Sequence, residues 1–328
     1  MPIVSLTNQV TFECQPGQTI LDAARAQGIG LEHSCRNGRC GVCKTKVITG
    51  ITSVTQPEIS LAQDDMNQGH ILTCCRTPDD HTVLDAEDLG EIGRIKVRTL
   101  PCRIDSLRRL NDDVIEVVLR LPPGTAFKFV PGQYVDIIYK NALRRSYSIA
   151  NTPQLDGKIV LHIKKFQSGL FSDYWFNVAQ KDDLLRLEGP FGTFSLRRAQ
   201  SETLVFLATG TGIAPVKSIL EQMDADNDLL GHSRIILYWG GRFKEDIYWS
   251  PCFKNIKISF YPTLSKDKDS AARFGYVQQN VIADAVDLKK AKVYACGSIS
   301  MINDARGLLV AQGLNHKNFY SDAFVASN

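Results

Sequence analysis

The N-terminal stretch VSLTNQVTFECQPGQTILDAARAQGIG reads as two short strands joined by a turn, then a helix closed by Gly28. That arrangement turns Phe12, Ile20 and Leu21 toward a core. After about residue 90 the pattern changes. The segment DLGEIGRIKVRTLPC, with its charges and then a Pro, reads as a linker. Short alternating runs follow: VIEVVLRL, GQYVDIIY, RRSYSIAN, IVLHIKKF and LLRLEGPFGTF. Strands at this spacing, punctuated by Pro and Gly, predict a small antiparallel barrel. The last third alternates between strand and helix. TLVFLATGTGIAPVKSILEQM is a buried strand, a Gly-rich turn and a helix, and RIILYWGG and KVYACGSISMINDARGLLVAQG repeat the theme. This pattern predicts a doubly wound parallel sheet, whose ligand crevice lies at the carboxyl ends of its strands.

Composition narrows the class. The chain has 328 residues, 44% hydrophobic and 22% charged, as expected of a soluble globular protein of two or three domains. The N-terminus carries no basic segment followed by an apolar run, so no signal peptide is expected. No stretch approaches the roughly 18 apolar residues of a membrane span. Nine cysteines, unevenly placed, do not make a disulfide framework, and Cys14, Cys102 and Cys252 read as idle thiols. A reducing, cytoplasmic setting is the expectation. The formal charge of +3 conceals an asymmetry: residues 1–90 hold six Lys/Arg against eleven Asp/Glu, leaving the remainder near +8. An acidic head on a basic body suggests docking between proteins more than nucleic-acid binding.

The stretch EHSCRNGRCGVC crowds Cys35, Cys40 and Cys43 into nine positions. A disulfide framework, a zinc site, a redox dithiol and an iron–sulfur cluster are the candidates. The spacing Cys35-x4-Cys40-x2-Cys43, completed far downstream by ILTCC, is the plant-type [2Fe–2S] pattern, in which a distant segment supplies the fourth thiolate. Gly38 and Gly41 allow the loop to curl and to aim N–H groups at sulfur, offsetting the charge of the cluster. Zinc sites commonly present two Cys-x2-Cys pairs, and Cys40-x2-Cys43 lacks such a mate. Adjacent Cys74 and Cys75 are a poor substitute if extended, because neighbours on a strand point to opposite sides. A dithiol would leave Cys35 without a role. Residues 1–90 resemble ferredoxin domains, and Cys74 stands in their LTC context. The resemblance implies Cys74 as the fourth ligand and Cys75 as a free neighbour.

By itself, Gly210-x-Gly212 after a strand implies no more than a tight turn. The ordered set RRSYS, LHIKK, GLFSDYW, EGPFGTF, ATGTGIAP and ACGS, spanning residues 99–328, resembles the ferredoxin–NADP+ reductase family. The resemblance implies FAD in the barrel and a nicotinamide cofactor in the last domain. It makes Arg145 the partner of the FAD pyrophosphate, a task suited to a guanidinium, with Arg144 as competitor. It sets Tyr147 against the isoalloxazine and Ser148 near flavin N5. Lys164 would be a second cation at the phosphates, and Gly169 and Ser172 would start a phosphate-receiving helix. Gly210, Thr211, Gly212 and Pro215 would form the turn that approaches the dinucleotide. Cys296 and Gly297 would lie at nicotinamide C4, the thiol placing the ring rather than attacking it. Phe324 would rest against the flavin. The ordinary alternatives are structural: core Tyr147, strand Cys296, surface Lys164 and a frayed tail at Phe324.

The expected architecture is therefore multidomain: a ferredoxin (β-grasp-like) α+β domain over 1–91, an antiparallel β-barrel flavin domain over 99–198, and an α/β nucleotide-binding domain over 199–328. Over its whole length, on LEHSC, ILTCC, LPCRIDS, LRLPP, RRSYSIAN, APVKS, YACGS and YSDAFVASN, the chain resembles the iron–sulfur flavoprotein reductases of 3,6-dideoxyhexose biosynthesis. That resemblance implies electron flow from NADH to FAD to [2Fe–2S]. The acceptor would be a pyridoxamine-phosphate-dependent dehydrase acting on CDP-4-keto-6-deoxyglucose, for surface polysaccharide. Lys266 and Lys268 in PTLSKDKDSAARFG depart from a strict NADH pattern, since they could attract a 2′-phosphate and admit NADPH. The competing readings are the reductase of a ring-hydroxylating dioxygenase or multicomponent monooxygenase, and a non-catalytic iron–sulfur redox sensor.

Overall fold

The computed structural model describes residues 1–140, 143–154, 156–167, 169–197, 203–226, 233–268 and 270–324. They form two units: Met1–Val97 together with Phe191–Thr193, and Arg98–Pro190 together with the described residues from Phe194 to Phe324.

In the first unit β1 (Ile3–Leu6) and β2 (Thr11–Glu13) make the antiparallel hairpin, with Val4 opposite Phe12. Helix α1 (Ile20–Ala26) begins at Thr19, whose hydroxyl accepts the Asp22 N–H, and it stops before Gly28 at φ 75°. Its inner face is Ile20, Leu21, Ala23 and Ala24, all buried with Phe12. The chain continues through β3 (Lys44–Thr49), β4 (Thr52–Val54), α2 (Gln63–Asn67), β5 (His70–Leu72), β6 (Arg76–Pro78), β7 (Thr82–Leu84) and α3 (Glu91–Arg94). The main sheet has the order β2-β1-β7-β3-β5, with β4 and β6 as a separate pair. β1 and β7 are parallel, and the other pairings of the sheet are antiparallel. This is the β-grasp-like arrangement.

The linker ends earlier than the charge pattern suggests. The first barrel strand, β8 (Arg98–Asn111), already contains RTLPC, because Leu100 and Cys102 face the barrel core while Pro101 looks outward. β9 (Val114–Arg120), β10 (Tyr134–Ile138), β11 (Arg144–Ser148) and β12 (Ile159–Lys164) follow. After α4 (Leu170–Asp173) and a wider turn over Tyr174–Val178 comes β13 (Leu184–Phe191). The strand order is β11-β10-β13-β8-β9-β12, and Ile149 pairs antiparallel with Leu161 to close the barrel.

The parallel sheet is built from β14 (Thr203–Thr209), β15 (Arg234–Gly241), β16 (Ile258–Leu264), β17 (Arg273–Phe274), β18 (Ala291–Ser298) and β19 (Phe319–Phe324). Helix α5 (Ile213–Ala225) follows β14, α6 (Val277–Ala283) follows β17, and α7 (Ile299–Ala311) joins β18 to β19. The order β17-β16-β15-β14-β18-β19 reverses direction at β14. Val205, Phe206, Leu207, Ile236, Leu237, Val293 and Ala295 are completely buried, as strands covered on both faces require. Helix α5 is tied to the barrel. Lys217 Nζ donates to the Ala150 carbonyl at 2.8 Å, Ser218 Oγ to the Asn151 carbonyl at 2.7 Å, and Glu221 accepts the Thr152 N–H at 3.3 Å. The boundary expected at residues 198 and 199 lies outside the described residues, as does the VASN tail. Among the described residues no helix is long and apolar enough to cross a membrane.

Candidate functional site

The cysteine loop delivers its sulfurs in two pairs. The Cys35 N–H donates to Cys40 Sγ at 3.4 Å, and Cys43 Sγ lies 3.3 Å from Cys74 Sγ. The N–H groups of Asn37, Arg39 and Cys40 face the Cys35 sulfur, and that of Gly38 faces Cys74. The Cys35 and Cys74 thiols are held below their ordinary range, first by the paired sulfur of Cys40 and of Cys43 respectively, for Cys74 next by the Cys75 sulfur, and then by these amides. Gly38 is required here. It adopts φ 76°, and a Cβ would come within 2.2 Å of the Pro57 carbonyl. Ser60 locks the turn, its N–H and hydroxyl both donating to the Gly38 carbonyl at 3.0 Å. Among the described residues no three His, Cys, Asp or Glu side chains gather around one metal-sized point. Two sulfur pairs with amides aimed at them suit a two-iron cluster better than a single zinc ion.

One expectation about this loop is corrected. Cys74 and Cys75 are not on an extended strand with opposed side chains. They occupy the turn between β5 and β6, and their sulfurs lie 3.5 Å apart, both buried.

The second unit assembles a site where the barrel meets the parallel sheet. The sheet reverses at β14, so β14 and β18 open a crevice at their carboxyl ends. Gly210–Gly212 turns out of β14 into α5, and Trp239 Nε1 holds the turn by donating to the Gly210 carbonyl at 3.0 Å. Gly212 packs so closely on β18 that a Cβ would come within 2.2 Å of the Cys296 carbonyl. Thr211 is buried in the turn, and Pro215 sits in the first turn of α5, where its missing N–H costs nothing. Cys296 is wholly buried, and Gly297 follows it opposite Ala323 of β19.

Ser148, the last residue of β11, donates its hydroxyl to Asp322 Oδ2 at 3.4 Å, and Cys296 Sγ is 4.0 Å from the same oxygen. All three are buried. Burial, reinforced by the Asp322 carboxylate, pushes the Cys296 thiol well above its ordinary range, so it is neutral. A neutral thiol is a poor nucleophile. Asp322 escaped the sequence reading. The available signal was an acid between Ser321 and Ala323 in the YSDAF tail, two residues before Phe324. Phe324 ends β19 opposite Ser298 and is partly exposed.

The remaining residues are distributed as follows. Arg144 is engaged by Glu188, while Arg145 is half-buried and its Nη1 donates to the Arg144 carbonyl at 2.8 Å. Tyr147 packs edge-on to Phe171, and its hydroxyl accepts from Trp175 Nε1 at 3.0 Å. Lys164 ends β12 beside the nucleotide turn: a Cβ on Gly210 would stand 3.8 Å from its Nζ. Ser172 Oγ accepts the Phe166 N–H at 2.8 Å, so it stabilises the bend before α4, and Gly169 precedes a helix of only four residues.

Comparison with known proteins agrees with this geometry. Residues 4–79 match the 2Fe-2S iron-sulfur cluster binding domain, residues 101–196 the oxidoreductase FAD-binding domain, and residues 206–307 the oxidoreductase NAD-binding domain. The chain is thus an iron–sulfur flavoprotein oxidoreductase that binds a [2Fe–2S] cluster, FAD and a nicotinamide dinucleotide. It is 40% identical over 323 residues to the CDP-6-deoxy-L-threo-D-glycero-4-hexulose-3-dehydrase reductase of Yersinia pestis, covering 97% of this chain and 96% of that protein. It is 36% identical over 330 residues to Protein RfbI of Salmonella typhimurium, covering 98% and 96%. Among solved structures, the Amycolatopsis cytochrome P450 reductase GcoB superposes with TM-score 0.77 at 25% identity over 100% of both chains. The chain belongs to the family of CDP-6-deoxy-L-threo-D-glycero-4-hexulose-3-dehydrase reductases.

Proposed function

We propose that this chain supplies electrons from NADH to a pyridoxamine-phosphate-dependent dehydrase, for C3 deoxygenation of CDP-4-keto-6-deoxyglucose. The observation that carries the reading is the meeting of Ser148, Cys296 and Asp322, which brings the end of a barrel strand to the end of a dinucleotide-sheet strand. Hydride transfer between two cofactors needs such a junction. The flavin, when bound, takes a hydride's two electrons and gives them up singly to a cluster that accepts one at a time. The functional domains on this reading are 1–91, 99–198 and 199–328.

Each residue has a separable task. Cys35, Cys40, Cys43 and Cys74 hold the cluster, with the loop amides offsetting its charge. Arg145 is available for the flavin pyrophosphate because Glu188 occupies Arg144. Tyr147 supports the ring system, and Phe324 covers it from the tail. Ser148 offers its hydroxyl at the reacting edge, and Asp322 orients that hydroxyl. The Gly210–Gly212 turn and Pro215 let the α5 backbone approach the dinucleotide, and Cys296 with Gly297 seats its nicotinamide. Lys164, beside Gly210, serves the phosphates at this junction. Gly169 and Ser172 stand at the start of α4, and the Ser172 hydroxyl, which accepts the Phe166 N–H, keeps its own proton to donate to a phosphate oxygen.

The test is reconstitution. With NADH, the dehydrase and this protein together should deoxygenate the substrate at C3, and neither should do so alone. The acidic first 90 residues favour docking on a positively charged face, so the coupled rate should fall with added salt, screened over about 8 Å at physiological ionic strength. NADH–ferricyanide turnover, which needs no docking, should fall much less. If the dehydrase gains nothing while a ring-hydroxylating oxygenase component is reduced, the acceptor is the oxygenase. Absence of NADH turnover altogether would favour the redox sensor. Nine cysteines with no disulfide among the described residues, four of them cluster ligands on this reading, fit a reducing cytoplasm.

A further inference from the structure

The turn between β5 and β6 places a fifth thiol against the back of the cluster loop. Cys75 Sγ is 3.5 Å from Cys74 Sγ and 3.7 Å from the Pro57 carbonyl. A Cβ on Gly38 would come within 2.9 Å of it, so the sulfur fills the space behind the loop's tightest bend. Cys74 is the better placed of the two. It lies 3.3 Å from Cys43 Sγ and faces the Gly38 N–H, whereas the near neighbours of Cys75 are the Cys74 sulfur and the Pro57 carbonyl. Cys75 Sγ nevertheless stands a single sulfur-to-sulfur contact, 3.5 Å, from the position Cys74 holds.

We propose that the fourth cluster position is served by either of two adjacent thiols: Cys74 in the ground arrangement and Cys75 in reserve. This rests on the [2Fe–2S] reading of the loop. In the exchange the iron–Cys74 sulfur bond breaks and an iron–Cys75 sulfur bond forms. The Cys75 thiol proton passes to the departing Cys74 sulfur 3.5 Å away, and no electron is gained or lost. The exchange is local because both residues belong to one turn. Cys43 has no adjacent cysteine in the chain and therefore no such reserve.

The experiment compares Cys74→Ala, Cys74→Ser, Cys75→Ala, Cys43→Ala and the Cys74→Ala/Cys75→Ala double variant, purified anaerobically as full-length protein. Iron and sulfide content, visible absorption and the electron paramagnetic resonance of the dithionite-reduced protein are measured, with FAD content and NADH–ferricyanide turnover as the control for folding. Both Cys74 variants should keep at least half the wild-type iron and give a reduced-cluster signal with shifted g values. Cys75→Ala should match the wild type, and Cys43→Ala and the double variant should hold no cluster. Cys74 variants as empty as Cys43→Ala, with flavin turnover intact, would overturn the proposal. So would a Cys75→Ala protein that loses its cluster while Cys74→Ala keeps the wild-type signal. A wild-type protein without iron would instead remove the cluster reading itself.

Discussion

Ser148 and Asp322 stand 174 positions apart in the chain, yet the Ser148 hydroxyl donates to Asp322 Oδ2 at 3.4 Å in a buried setting. One closes the hairpin of β10 and β11, and the other lies in the edge strand of the parallel sheet. Their approach depends on α5 being held to residues 150–152 of the barrel by Lys217, Ser218 and Glu221. A hydroxyl oriented by a buried carboxylate is suited to hold a proton at the edge of a bound flavin.

Asp322→Asn keeps the shape of the side chain and removes its charge. We expect flavin reduction by NADH, followed at 450 nm in a stopped-flow instrument, to slow by on the order of 10²-fold, with FAD content unchanged. Ser148→Ala should slow it comparably, and the double variant should be little slower than either single one, because the two act as one unit. Full additivity of the two effects would mean that the contact does not operate in the reaction.

The nucleotide preference is a second test. Lys266 and Lys268 follow β16 at the carboxyl ends of the parallel strands, and both are exposed. The Lys266 N–H is fixed by the Arg242 carbonyl at 3.0 Å, and the Lys268 ammonium lies 5.1 Å from the Phe274 ring centre. Exposed ion pairs contribute up to about 1 kcal/mol each. Replacing both lysines by alanine should therefore lower kcat/KM for NADPH by roughly 10-fold, while changing that for NADH less than about 2-fold. Equal losses for the two cofactors would remove the 2′-phosphate from the account.

A third prediction concerns pH. His162 is buried on β12, with its Nε2 3.7 Å from a Glu116 oxygen and its Nδ1 3.3 Å from the Tyr248 hydroxyl. Burial holds the imidazole below its ordinary range, although Glu116 pulls the other way, and Lys217 and Glu221 on α5 contribute opposite charges. The unfolded chain takes up this proton near pH 6.5, and the folded chain does so only at lower pH. The histidine's contribution to stability is thus complete above pH 6.5 and declines as the pH falls below it. The slope is at most about 1.4 kcal/mol per pH unit for one proton. In denaturant unfolding between pH 7 and 5, His162→Gln should show a flatter decline than the wild type. Parallel declines would place the titration elsewhere. The Glu116 carboxylate, held down to about 2 by His162 and then Arg108, does not titrate in that window.

The periodicities were enough to read three successive layers of structure, because each depends on local chemistry. Gly28 closes α1, alternating runs supply the barrel strands, and the continuous apolar runs of β14, β15 and β18 are those of strands covered on both faces. The spacing of Cys35, Cys40 and Cys43 was equally legible, since a loop that wraps a cluster is constrained over a few residues. Contacts between distant segments were not. That RTLPC belongs to a strand depended on its pairing with β13, which no local pattern records. Whether Cys74 and Cys75 face apart or together depended on the turn that Cys75 makes with Leu72, its N–H donating to that carbonyl at 2.8 Å. The position of Lys164 beside Gly210, and of Asp322 beside Ser148 and Cys296, required the barrel and the parallel sheet to pack through α5. Sequence determined which residues could do this chemistry, because ligand type and backbone freedom belong to the residue. Only the tertiary structure decided which of them meet, because a distance between residues far apart in the chain is set by packing.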